Sequence, residues 1–247
     1  MENLRKLLDN AAKLESLELQ LPELEARHKE LKETVADKKL ERDWAIINAK
    51  NLEYPNFFQG LFTKVAEKQE KAQAEAREAA ADYEKVKREL DTLEHQLTAI
   101  REDCSGLSGS RETYNHAREE FLSLAGADEV RQLREMETEA FRSVAVESVR
   151  QIRKALHAAR GWMQKDLRPR YGTVVGRRME FLHLADDYAE TLQRLIVYFP
   201  EGSITLGASM SAPSSYVHSV STNLSQIDLL NIAVEQSQRV QAQLEAL

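Results

Sequence analysis

Apolar residues recur at alternating spacings of three and four along the first hundred residues, and charged residues fill the positions between them. Before residue 53, one heptad core position is occupied by Leu7, Leu14, Leu21, His28, Val35, Arg42 and Ala49, and the other by Asn10, Leu17, Leu24, Leu31, Lys38, Ala45 and Leu52. A heptad pattern sustained over this many repeats is typical of a coiled coil. The pattern therefore predicts a long helical arm.

A second heptad pattern follows residue 62. Its core positions are Val65, Ala72, Ala79, Val86, Leu93, Ile100 and Leu107, together with Gln69, Ala76, Tyr83, Leu90, Leu97 and Cys104. Two heptad segments with a short interruption between them predict an antiparallel hairpin. A turn centred near Pro55 and Asn56 places Leu24 opposite Val86 and Leu31 opposite Ala79, and a register shifted by one heptad also fits the pattern.

The interruption between the two arms contains a cluster of aromatic residues. The cluster consists of Tyr54, Phe57, Phe58 and Phe62. Pro55 and Gly60 account for the break, because proline cannot donate a hydrogen bond inside a helix and disfavours helical geometry before it. The aromatic residues either fold inward and cap the coiled coil or stay exposed and bind a partner. Our hypothesis is that this tip contacts a protein partner or a second copy of the chain.

The segment Glu53-Tyr-Pro-Asn-Phe-Phe-Gln-Gly-Leu-Phe62, between its two charged heptad arms, resembles uncharacterised bacterial helical-hairpin proteins. These coiled-coil proteins have an aromatic turn followed by an arm rich in Ala and Glu. The resemblance covers roughly residues 40–100. It implies a hairpin fold, and it implies no activity, cofactor or site residue.

The remaining pattern predicts further helices. A break at residues 105–110 precedes helices predicted over about 112–124, 128–166, 178–199 and 223–247. Loops are predicted near 167–177 and 200–222, and the Ser-rich stretch 203–221 is expected to be a mobile loop. Pro22 is expected to kink the first helix or to start a new one. The predicted fold is all-α, with an antiparallel coiled-coil hairpin over 1–107, its tip near 53–62, and an additional C-terminal helical bundle region over 108–247.

Composition narrows the class of protein. The chain has 247 residues, of which 30% are charged and 6% aromatic, and its net charge is −7. This charge favours solubility and disfavours non-specific binding to nucleic acid. One cysteine, Cys104, excludes an internal disulfide and fits a reducing compartment. We find neither a signal peptide nor an apolar run long enough to span a membrane, so we expect a cytoplasmic protein.

One segment is strongly basic. Its cationic residues are Arg150, Arg153, Lys154, Arg160, Lys165, Arg168, Arg170, Arg177 and Arg178, and Asp166 is the only acidic residue among them. Several recur three or four positions apart and form one helical stripe with His157. Guanidinium groups suit phosphates and carboxylates, so one interpretation is a surface that binds anions or nucleic acid. The other is that the stripe lies along the acidic hairpin of the same molecule or of a second copy.

The sequence contains little that suggests catalysis. Glu25 with His28, and Glu180 with His183, have the Glu-x-x-His spacing of carboxylate-bridged di-metal bundles. Because Glu is abundant, about one such pair is expected by chance, and we predict no metal site, no cofactor and no catalytic residue. The function predicted is a non-enzymatic protein–protein interaction or scaffolding protein, with a protein partner or a homodimer. Anion or nucleic-acid binding through residues 150–178 is the alternative.

Overall fold

The computed structural model of the chain describes residues 1–53, 65–165, 173–218 and 223–247. Within these ranges the regular structure is entirely helical and contains no strand, which confirms the all-α prediction. The helices are α1 (Glu2–Glu18), α2 (Leu21–Glu53), α3 (Val65–Gly106), α4 (Ser110–Leu124), α5 (Ala127–Lys165), α6 (Thr173–Ile196), α7 (Ala208–Ser211), α8 (Pro213–His218) and α9 (Asn223–Glu245).

Pro22 begins a new helix rather than bending a continuous one. Helix α1 ends at Glu18, and α2 starts at Leu21, so Pro22 is its second residue. A proline is tolerated in the first turn because its missing N–H group would have no intrahelical partner there. Of the two interpretations of Pro22, the second is confirmed.

The described chain divides into two compact units. One comprises Glu23–Glu102, and the other combines Met1–Pro22 with Asp103–Leu247. Helix α1 belongs to the second unit, which differs from the domain boundary predicted at residue 107. The reason is packing: Leu4 and Leu8 are buried in the same apolar core as Tyr114 of α4 and residues of α5.

Helix α5 is the centre of the larger unit, and α6 and α9 both pack against it. Its buried residues include Leu133, Phe141, Val149, Ile152 and Leu156. They recur at helical spacing on the side that faces the neighbouring helices, as expected of an amphipathic helix. Helices α5 and α6 are also joined by a buried hydrogen bond, in which the Ser148 hydroxyl donates to the Tyr188 carbonyl at 2.6 Å.

The described part of the Ser-rich stretch, residues 203–218, contains helices where its composition predicted a mobile loop. It contains α7 and α8, and Met210 and Val217 are buried in the core. Both short helices contact α6 and α9. Burial of these apolar side chains stabilises helical turns that local propensity does not favour, because tertiary packing overrides propensity. Helix α6 likewise begins at Thr173, five residues before the predicted start.

In the smaller unit, α2 and α3 contact each other in antiparallel order. Charged or hydrogen-bonded pairs between them include Glu25 with Arg101, His28 with Glu94, and Lys38 with Asp82. Every described core position of both heptads in this unit is buried or half-buried, whereas most positions between them are exposed.

The register of α2 against α3 differs from the predicted one. The predicted pairing of Leu31 with Ala79 places His28 near residue 82, but His28 lies 3.0 Å from Glu94. This register is therefore wrong. The physical reason is that a seven-residue repeat still matches after a shift along the helix, so the repeat alone does not fix the alignment. In the observed alignment each residue of α2 meets a later part of α3 than predicted.

Candidate functional site

The predicted tip residues, Tyr54, Phe57, Phe58 and Phe62, lie outside the residues that the structure describes. Their exposure and their binding role stay predictions. The described part of α2 that leads to them in sequence carries a different feature, which the sequence analysis did not identify.

Three large apolar side chains near the end of α2 are exposed. Leu40 and Trp44 each retain 69% of their accessible surface, and Ile47 retains 57%. Their spacing of four and then three residues places them on one face of the helix. The heptad core of the same stretch is formed by Lys38, Arg42, Ala45 and Ala49. The three apolar residues, which we call the outer stripe, thus face away from the core.

The charged neighbours of the outer stripe are partly engaged with one another. Lys38 forms an ion pair with Glu41 at 2.6 Å, and Arg42 pairs with Asp43 at 2.6 Å. The Arg42 guanidinium also lies 4.2 Å from the centre of the Tyr83 ring. Lys38 also lies 3.8 Å from Asp82, so both Lys38 and Arg42 contact α3, on the side of α2 away from the outer stripe.

A sequence signal for the outer stripe existed. In the heptad assigned to α2, Leu40 and Ile47 occupy the position opposite the core, and Trp44 occupies an adjacent outward position. A single exposed apolar residue is ordinary on a protein surface, but three that are contiguous form the kind of patch that marks a contact site.

The basic segment lies mainly along α5, where its arginines contact α9. Arg153 Nη2 donates to the Gln241 side-chain oxygen at 2.8 Å, and Arg160 Nη1 donates to that of Asn231 at 2.9 Å. The partners in these bonds are neutral amides, and within the described residues neither arginine is in an observed ion pair.

The other basic residues are distributed among several contacts. Arg150 lies 3.5 Å from Glu147, Arg177 lies 3.5 Å from Glu180, and Arg178 donates to the Gln226 side chain at 3.3 Å. Lys154 is exposed on α5 and has interactions of its own. Arg168 and Arg170 lie outside the described residues.

His157 lies between Arg153 and Arg160 in the sequence of α5, and its pKa is sensitive to their charges. Its pKa is lowered from the usual value, first by burial and then by the positive charges of Arg160 and Arg153. No carboxylate is among the groups that shift it. The field along this side of α5 therefore disfavours a further positive charge, as expected beside a pair of guanidinium groups.

A second arginine-rich feature is structural. A cleft of about 310 Å³ in the larger unit is lined by residues that include Arg111, Arg118 and Arg194. Arg111 and Arg194 both donate to the buried Glu15, and Arg118 donates to Glu137, which is fully buried. Since each guanidinium has a carboxylate partner within the fold, this cleft offers little attraction for an added anion.

Glu137 is the acceptor at the centre of that network. The Tyr114 hydroxyl donates to Glu137 Oε1 at 2.6 Å, and Arg134 Nη1 donates to Glu137 Oε2 at 3.2 Å. Burial, and then the hydrogen bond to Glu137, raise the pKa of Tyr114. The phenol therefore stays protonated and continues to donate to the carboxylate.

The candidate metal ligands are used elsewhere or lie apart. Glu25 accepts a hydrogen bond from Arg101 at 2.6 Å, and His28 contacts Glu94. His183 Nδ1 lies 3.8 Å from Asp186, and Glu180 pairs with Arg177. In the part of the chain that the structure describes, no three His, Cys, Asp or Glu side chains are grouped so that they could hold a metal ion.

Comparison with known proteins identifies no related protein from which a function could be transferred. A scan against protein-family models and searches of curated proteins and of solved structures found no match. None of the described helices combines the length and the apolar character needed to cross a membrane.

Proposed function

We propose that the chain is a non-enzymatic protein–protein interaction or scaffolding protein, and that the outer stripe of α2 binds protein. The observation that carries this proposal is the exposure of Leu40, Trp44 and Ile47 on one face of α2, opposite its heptad core. Tryptophan is one of the residues enriched in binding hot spots, and the two aliphatic residues extend the apolar patch around it.

The magnitude of the exposed surface supports a binding role. Burying the exposed part of each of these side chains gains roughly 1–2 kcal/mol, and the tryptophan contributes the most because of its size. An amphipathic helix would ordinarily place such residues in its core. Here the core positions of the same stretch are Lys38, Arg42 and Ala45.

The framework in this proposal is the antiparallel coiled-coil hairpin. Two observations support it: the antiparallel order of contacts between α2 and α3, and the lower exposure of the heptad core positions. The hairpin would hold the outer stripe on a continuous helix and present the aromatic tip next to it. In sequence, Tyr54 follows Ile47 by seven residues, so the heptad spacing of the stripe leads into the tip.

The test is site-specific photo-crosslinking with a benzophenone amino acid at position 44. We expect a crosslinked adduct with one defined protein, which can be a second copy of the chain. The matched control carries the same amino acid at Arg27, which is exposed on the same helix. Equal yields and identical adducts at the two positions would contradict the proposal.

A companion variant tests whether the stripe is structural. Trp44→Ser combined with Leu40→Ser should abolish binding of the protein that crosslinks at position 44. The unfolding midpoint should stay nearly unchanged, because exposed side chains contribute little to folding. A large loss of stability would show that these residues belong to the fold. Phe57→Ser with Phe58→Ser applies the same comparison to the tip.

A second candidate function, anion or nucleic-acid binding on α5, is favoured by a specific observation. Arg153 and Arg160 are bonded to neutral amides, and the pKa of His157 between them is lowered, first by burial and then by the charges of Arg160 and Arg153. A bound phosphate would reverse that field. Its test is an NMR titration of His157, in which added phosphate raises the pKa of His157 and does so less after Arg160→Gln.

For nucleic acid, the corresponding test is retention of labelled RNA or DNA. Binding that depends on cationic contacts should be present at about 50 mM salt and fall steeply as salt rises, because it releases counterions. Absence of retention at that concentration would overturn the nucleic-acid form of this candidate.

A further inference from the structure

We infer that the outer stripe of α2 pairs with the outer stripe of a second copy of the chain, with the two helices parallel and in register. This inference rests on the proposed function, because it names the partner of the same surface.

The two flanks of the outer stripe carry opposite charges. With about 100° of rotation per residue, Asp37 and Glu41 lie on one side of the stripe, and Lys39 and Lys50 lie on the other. All four side chains are exposed. Within the described residues, Asp37, Lys39 and Lys50 take part in none of the observed ion pairs. Two flank carboxylates already have a partner on the same helix: Glu41 pairs with Lys38 at 2.6 Å on the acidic side, and Asp43, on the basic side, pairs with Arg42 at 2.6 Å. The flank charges that carry the argument are therefore those of Asp37, Lys39 and Lys50.

These flanks determine the orientation of a second copy. A two-fold axis parallel to the helices brings the acidic flank of one copy against the basic flank of the other. Lys39 then lies within about one turn of Asp37 of the second copy, within reach of a lysine side chain. Glu41 of that copy lies equally near and would share its charge between Lys38 and Lys39. An antiparallel arrangement instead sets Lys39 and Lys50 of one copy against the same basic flank of the other, and like charges repel.

The parallel arrangement also pairs each residue of the stripe with itself. Trp44 packs against Trp44, and Leu40 and Ile47 each meet their counterparts, which is the isologous pattern of a two-fold dimer. Asn51 is exposed and continues the same three-and-four spacing after Ile47. A polar Asn among apolar seam residues is a known device for specifying a parallel register.

The available area sets the expected strength. The exposed parts of Leu40, Trp44 and Ile47 amount to roughly 300–400 Å² in each copy, so the pair buries roughly 600–800 Å², less than a standard stable interface. The dimer should therefore be weak, and its population should depend on concentration across the micromolar to millimolar range.

The first experiment is sedimentation velocity of the full chain over a wide concentration range. We expect a monomer that shifts to a dimer as concentration rises, and we expect Trp44→Ser to move this transition at least tenfold higher. A mutation of the stripe tests whether this surface forms the dimer, but not how the two helices are oriented. Lys39→Glu tests the orientation. In the parallel arrangement it weakens the dimer severalfold, since it faces Asp37 and Glu41, and adding Asp37→Lys restores it.

The third measurement is a disulfide test. Asn51→Cys in a Cys104→Ser background should form a covalent dimer on mild oxidation, because residue 51 faces its counterpart in the parallel register. In an antiparallel dimer centred on Trp44, residue 51 lies opposite residues near 36, and the two thiols would be about 20 Å apart. The antiparallel arrangement also predicts that Lys39→Glu strengthens the dimer, because it then faces Lys50.

The outcomes separate this inference from the proposed function. A chain that stays monomeric at every concentration, while position 44 crosslinks to a different protein, overturns the second copy as partner and leaves the proposed function intact. A dimer insensitive to Trp44→Ser overturns the inference as well. A monomer with no specific crosslink at position 44 overturns both.

Discussion

Glu137→Ala removes a carboxylate that accepts hydrogen bonds from three side chains. Glu137 and Tyr114 are fully buried, whereas the Arg118 and Arg134 side chains are 16% and 37% exposed. The substitution leaves the Tyr114 hydroxyl and the Arg118 guanidinium without their acceptor in a region that water enters poorly. We therefore expect this substitution to lower the free energy of unfolding more than removal of any exposed carboxylate of α5.

The magnitude follows from the burial of each group. An unsatisfied buried hydroxyl costs about 1–3 kcal/mol. Breaking a buried ion pair by removing one partner costs about 3–5 kcal/mol, and these effects overlap rather than add. Arg134 is partly exposed, so its ion pair contributes less than about 1 kcal/mol. We expect a total loss of about 3–5 kcal/mol, which corresponds to a fall in Tm of about 10 °C for a chain of this size.

The assay is urea unfolding followed by circular dichroism, with thermal unfolding as a second measure. Glu139→Ala is the matched control, because Glu139 is exposed on the same helix, and it should change the free energy by no more than about 0.5 kcal/mol. Glu137→Gln keeps an acceptor for Tyr114 and loses the charge, so its effect should be intermediate. If Glu137→Ala and Glu139→Ala differ by less than about 1 kcal/mol, the reasoning is refuted, because Tyr114 and Arg118 would then find other partners.

Two further predictions concern a thiol and two glycines. Burial, followed by the charges of Glu18 and Asp103, raises the pKa of Cys104, so less thiolate is present at pH 8. Alkylation of Cys104 should be slower in the folded chain than in the unfolded chain. The pH at which the alkylation rate reaches half its maximum should be higher in the folded chain, and equal values in the two states would contradict this prediction. Gly109 has a φ of 79°, so Gly109→Ala should destabilise the chain by about 1 kcal/mol. Gly161 lies inside α5 with open space where a Cβ would be, so Gly161→Ala should stabilise the chain by about 0.5–1 kcal/mol. Urea unfolding measures both glycine variants, and changes of the same sign in the free energy of unfolding would refute these two predictions.

Local periodicity identified most helices and the heptad core positions of α2 and α3. Pro22 and the break at residues 105–110 were also readable, because proline and glycine act on the backbone within one turn. The pattern further contained the outer stripe, since Leu40, Trp44 and Ile47 stand at outward heptad positions. The repeat alone does not distinguish an outward apolar residue that another part of the chain covers from one that stays exposed.

Other features depend on residues that are distant in sequence. The register of α2 against α3 could not be derived from two seven-residue repeats, because a shift along the helix preserves the same pattern. Composition also misjudged the Ser-rich stretch, since it could not show that Met210 and Val217 pack against the core.

The sequence by itself determined where helices form and which of their faces are apolar, because both depend on residues within a few positions of each other. Tertiary structure alone decided which charges are buried and which partners they have. In the sequence, Glu137 is one of many acidic residues and nothing marks it as buried. It is a buried hydrogen-bond acceptor because α4 packs against α5 and brings Tyr114 and Arg118 to it. Likewise, Arg153 and Arg160 belong to a basic stripe in sequence, and only the packing of α9 shows that their partners are neutral amides. The physical reason is that desolvation and ion pairing depend on distances in space, which no local repeat encodes.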